Sequence, residues 1–243
     1  MVLGLVVPLA AACDQDGDGS DGSAPAPTGP PADATSAPAD DAPAGQALYF
    51  YPPVEGATLT YTSPDVTSEV AVDSVTSGNG GVVVTATETA AGDGGPVTVD
   101  RTFTTGPDGS LSIGASTFAA AAPGIEVTGT GPDVTFPSIS ALESGDTATG
   151  ETFVEFTGPI IGGRSDVTYT VSGRGFESVT TPAGSAQAYV VELTMEVEHS
   201  TFGSVQGQMV FWFAPGFGLL RQEVDLEPTS TTIELTQSSV PLP

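Results

Sequence analysis

The sequence predicts an all-β protein, and three observations predict it. From Ala47 onward, short runs rich in Val, Thr, Tyr and Phe are separated by Gly, Pro, Asn and Asp. Several of these runs alternate apolar and polar residues with a period of two, which gives a strand one covered and one wet face. The 243 residues, 39% hydrophobic and 14% charged, can bury one sizeable core without a second domain. The expected architecture is a single antiparallel sheet curled into a half-open barrel, or a β-sandwich, over residues 47–243, preceded by a disordered tether.

Taken in order, the chain opens with Met1–Ala12, MVLGLVVPLAAA, an apolar run followed by small residues. A bilayer-spanning helix needs about twenty apolar residues, so this run reads as a signal peptide over residues 1–12. LAAAC, ending at Cys13, resembles a bacterial lipobox. That resemblance implies a diacylated cysteine at the mature N-terminus, and hence an extracytoplasmic protein anchored to the cell membrane. Cys13 is the one cysteine, so an intrachain disulfide is excluded.

Residues 14–45 contain only small, polar and Pro residues, with no aromatic and no large aliphatic side chain. Such a segment cannot bury anything, which makes 13–46 a lipidated cysteine and tether. Asp14-Gln15-Asp16-Gly17-Asp18-Gly19 matches the first half of a calcium loop. The twelfth position is Pro25 rather than a bidentate Glu, so the segment reads as solvated linker.

Within the β domain, Leu48-Tyr49-Phe50-Tyr51 leads into a strand over Thr58–Thr62. Val66, Val70 and Val72 then alternate with Thr67, Glu69 and Asp73. Gly-rich turns at 77–81 and 92–95 separate strands expected over Val82–Glu88 and Pro96–Thr104. Arg101 shares the inward parity of Val97, Val99 and Phe103. It is therefore either an edge residue that reaches out to water, the reading we favour here, or a buried cation that needs an acidic or carbonyl partner. Short strands follow at 110–113, 125–129, 134–137 and 153–157, with pairing left open over 114–150 and little helical tendency at 118–123.

The last third is the best specified. Val167, Tyr169 and Val171 alternate with Thr168, Thr170 and Ser172, and Tyr189 to Val197 alternate with Val190 to Glu198 in a long strand with an acidic face. Gln208–Leu226 reads as a hairpin about Ala214-Pro215-Gly216-Phe217. Pro215 fixes φ for a tight turn and Gly216 supplies the positive φ that follows. Val210–Phe213 is apolar on both parities, so both its faces need covering. Thr231–Thr236 closes the sheet.

Chemistry is constrained mainly by what the sequence excludes. Thirty Asp and Glu against four arginines, with no lysine, give a net charge of -26, which excludes nucleic acid as a partner. No nucleophile elbow, phosphate loop or metal motif is present, so no enzyme activity, cofactor or metal site is implied. His199, the one histidine, follows Glu196 and Glu198 and reads as a surface strand end rather than a ligand. Met209, Phe211, Trp212 and Phe213 are the candidate lining of a site for a lipid or other apolar ligand. The alternative is a packed core in a structural or protein-interaction lipoprotein of the cell envelope.

Three blocks carry a family resemblance: Tyr51-Pro52-Pro53-Val54-Glu55-Gly56, Pro182-Ala183-Gly184, and Trp212-Phe213-Ala214-Pro215-Gly216-Phe217-Gly218-Leu219. Together they resemble DUF3108-like and TapB-like bacterial envelope proteins, many of them lipoproteins. The resemblance implies a secreted β-rich domain and carries no catalytic residue.

Overall fold

A computed structural model describes residues 47–78, 80–92, 95–118, 126–158, 162–199, 203–226 and 229–243. The signal peptide, Cys13, the tether and the half calcium loop lie outside the described residues. Thirteen strands form one hydrogen-bonded sheet: β1 (Thr58–Thr62), β2 (Thr67–Gly78), β3 (Gly81–Gly92), β4 (Gly95–Thr105), β5 (Leu111–Ile113), β6 (Glu126–Thr130), β7 (Val134–Phe136), β8 (Ala148–Thr157), β9 (Gly163–Thr181), β10 (Gly184–His199), β11 (Gly203–Ala214), β12 (Gly218–Leu226) and β13 (Thr229–Ser238). Their order is β6-β8-β9-β10-β11-β12-β13-β1-β2-β3-β4-β5-β7, antiparallel throughout, so the curled single sheet forms and the two-sheet sandwich does not.

Curling follows from which rings meet. Phe136, on the terminal strand β7, stands 5.4 Å from Phe211 and 6.1 Å from Phe213 on β11, in the middle of the order. The sheet therefore wraps its apolar face around one core and brings its ends near each other without closing into a barrel. Ser138 caps α1 (Ile139–Glu143), its hydroxyl accepting from the Ala141 amide, and Ile139 and Leu142 are buried. This helix packs on β9, a feature that the sequence reading of 114–150 missed.

The lead-in Leu48–Tyr51 seals the core. Phe50 stacks on Phe103 at 4.5 Å and meets Phe213 edge-on at 6.2 Å. Its carbonyl accepts from the Leu219 amide at 3.0 Å, and Thr105 donates to the Leu48 carbonyl at 2.7 Å. Gly218 (φ 136°) permits this approach, since a Cβ there would stand 2.9 Å from the Phe50 carbonyl. The expected turn is present: Gly216 has φ 72° and Phe217 donates to Ala214 at 3.0 Å.

Arg101 departs from the favoured edge reading. It is only 6% exposed and its Nε donates to Glu88 on β3 at 3.1 Å. Residues Val84, Ala86 and Glu88 share the inner parity, and the Gly92 to Gly95 hairpin sets Arg101 opposite Ala86, one diagonal from Glu88. Glu88 Oε1 and Arg101 Nη2 have no hydrogen-bond partner among the described residues, so each charge depends on the other. Burial first, and the Glu88 carboxylate second, hold the Tyr51 and Tyr61 phenols well above their usual range. We predict that Glu88→Gln or Arg101→Met alone costs about 3–5 kcal/mol in urea unfolding, whereas Glu88→Leu with Arg101→Met restores the loss. Neutral single variants would contradict the pairing.

Candidate functional site

Strand alternation separates the four residues expected to line one pocket. Met209, Phe211 and Phe213 face the core: Phe211 and Phe213 stack at 5.7 Å, and Gln222 donates to the Met209 sulfur at 3.6 Å. Trp212 faces the opposite side. It pairs across the sheet with Val190 and Arg221, donates its Nε1 proton to Glu177, and carries the Arg221 guanidinium 5.0 Å above its ring. A single cavity cannot be lined by all four, because adjacent strand residues point to opposite faces. The inner three are 2% exposed or less and fill space that an apolar ligand would need.

A concavity lies instead on the outer face, across β8 to β12. It is open to solvent and has a volume of about 1000 Å³. Its walls are two ladders set by strand register. The first runs Thr149, Thr170, Thr194, Gln208, Asp225, each paired with the next across adjacent strands. The second, two residues along each strand, runs Glu151, Thr168, Glu196, Gln206. Ser204 donates to Glu196 Oε1 at 2.8 Å and orients that carboxylate. Between the ladders the backbone of Gly150, Tyr169, Met195 and Gly207 forms the floor, because the Tyr169 and Met195 side chains turn to the inner face. Gly150 leaves room for the Tyr169 ring, and Gly207 leaves room for Leu226.

Sequence reasoning recognised Thr168, Thr170 and the Glu196 face as wet, but treated each strand separately. Register is what sets them side by side, and a one-residue slip would scatter them. The Gly203 turn and the Gly184 turn fix that register, and both glycines were legible as turn residues.

Electrostatically the trough is acidic. Each arginine is held by carboxylates elsewhere: Arg164 by Asp166 at 2.7 Å and Glu155 at 3.5 Å, Arg174 by Glu192, Arg221 by Glu223, and Arg101 by Glu88. Among the described residues no three His, Cys, Asp or Glu side chains come together as metal ligands.

His199 corrects the expectation of a surface strand end. It is 3% exposed and stacks on Phe156 with ring centroids 5.5 Å apart, because its odd parity continues the inner face of Val197 and Met195. Burial lowers its pKa, so the folded state resists protonation. The sign follows: stability is fully present above the unfolded value of about 6.5 and falls as pH drops below it. There is no second histidine in the chain. We predict a falling urea midpoint from about pH 7.5 to about 5.5 that flattens in His199→Phe. An unchanged slope in that variant would place the titration elsewhere.

These features define an all-β protein with one curled sheet, an aromatic interior and a polar trough on its outer face. The chain belongs to the DUF3108-like family, which residues 58–225 match. It is similar in fold to a candidate lipoprotein from Parabacteroides distasonis, with TM-score 0.62, 17% identity, and coverage of 79% of this chain and 99% of that one. It is similar also to a candidate exported protein with YmcC-like fold from Bacteroides fragilis, with TM-score 0.61, 18% identity, and coverage of 80% and 100%. No curated protein matches the chain.

Proposed function

We propose that this protein is a non-catalytic, extracytoplasmic lipoprotein of the bacterial cell envelope, held to the membrane through a lipid on Cys13, whose sheet engages a polar partner at its outer surface. The observation that carries the surface role is the packing of Phe211 and Phe213 against Phe136 and Phe50. A carrier of lipid or another apolar ligand needs an open apolar void, and these rings occupy that space. The address is supported by the LAAAC sequence at Cys13 and by the descriptions of the fold neighbours as candidate lipoprotein and exported protein. A chain with net charge -26 needs an anchor other than anionic-lipid attraction, and a diacyl group supplies one.

Intact-mass and native mass spectrometry of the full-length protein, extracted from bacterial membranes, test both parts. The expected result is a polypeptide beginning at Cys13 with diacylglycerol attached and no further apolar molecule bound. A chain without the adduct would remove the anchor, and a stoichiometric second lipid would remove the surface role.

A further inference from the structure

We propose that the outer-face trough binds a neutral, hydroxyl-rich polymer, a glycan chain lying across strands β8 to β12. This rests on the surface reading above and names the partner's chemistry.

Geometry comes first. Neighbouring strands lie about 4.8 Å apart, so the five-member ladder repeats its polar groups over about 19 Å. The spacing matches the length of one pyranose ring in an extended chain, and the ladder spans several such rings. The two ladders stand two residues apart along each strand, about 6.6 Å, so a chain lying across the strands reaches both rows of polar groups. The trough is open to solvent, and its volume of about 1000 Å³ has room for a short oligosaccharide.

Chemistry selects among polymers. The lining includes no Arg or His, while Glu151, Glu196 and Asp225 repel phosphate- or carboxylate-bearing chains. Four threonine hydroxyls and two glutamine amides both donate and accept, which suits partners that do the same. The carboxylates accept from sugar hydroxyls, and these charge-assisted bonds are the stronger ones. A cationic peptide would use the three carboxylates and leave the six neutral groups without purpose.

Position fits the same use. The chain runs back toward Cys13 from Ala47, and Phe50 bonds Leu219 at the turn end of β11 and β12. The trough lies around Gly207, seven residues along β11 from Ala214, about 23 Å away. It sits at the end of the sheet away from the Ala47–Phe50 lead-in.

The test uses the purified full chain in detergent micelles. It is titrated with cellohexaose, maltohexaose and chitohexaose, and separately with decalysine, by calorimetry and amide NMR. The expected result is binding of at least one hexasaccharide, with shifts at Thr170, Thr194 and Gln208 and an affinity insensitive to salt between about 50 and about 500 mM. Thr194→Ala with Gln208→Ala weakens it about tenfold or more, while Thr194→Ser retains it. Both positions are on the wet face, and circular dichroism checks that the variants fold. Silence toward all three hexasaccharides overturns the proposal. Binding that the double variant leaves unchanged overturns it too, as does salt-sensitive decalysine binding at the ladders in place of sugar. A stoichiometric lipid in the native mass spectrum would remove the surface reading, whereas silent titration of lipid-free protein removes this inference alone.

Discussion

Phe50 stacked on Phe103 and edge-on to Phe213 joins three parts of the chain that are far apart in sequence. The lead-in, the β4 strand and the central hairpin meet there, and Phe136 brings in the terminal strand β7. Each such aromatic contact contributes about 0.5–1.5 kcal/mol beyond area burial, so the cluster is a large share of what keeps the sheet curled. A flat sheet of thirteen strands would expose its apolar face. The curl is therefore a consequence of covering that face from within one chain, and Ile139 and Leu142 of α1 are buried against the same core.

The same curl divides the chemistry of the two faces. Inside, the packing is apolar apart from a few polar groups, of which the Glu88 and Arg101 pair is the most demanding because two of its atoms lack partners among the described residues. Outside, carboxylates predominate, and the arginines are committed to neighbouring Asp and Glu. Trp212 sits on that outer side beneath Glu177 and Arg221, its ring nearly covered, which removes it from the interior without exposing an apolar patch. What remains available on the surface is hydroxyl, amide and carboxylate, and the β8 to β12 trough concentrates all three.

Much of this was legible in the residues. Period-two alternation located the strands, and Pro215-Gly216 located the central turn, because both are local properties of a few neighbouring residues. What failed was non-local. Arg101 was assigned to an edge because its partner, Glu88, is identified only once the hairpin register is known. His199 was assigned to the surface although its parity already placed it with Val197, since the strand end was taken as the sheet's limit. The trough was missed altogether: Thr170, Thr194 and Gln208 are unremarkable singly and meet only through register. Met209, Phe211 and Phe213 separate from Trp212 because neighbouring residues of a strand face opposite sides of the sheet.

The central claim is that the interior is filled and that recognition happens outside it. Methionine-methyl NMR tests this most directly, because Met209 and Met195 both lie in the core. Met1 is the third methionine and precedes Cys13. Titrating decanoate into the protein should leave the Met209 methyl resonance where it is. A saturable shift of that resonance at one equivalent would show room for an apolar ligand inside the sheet and would contradict the account.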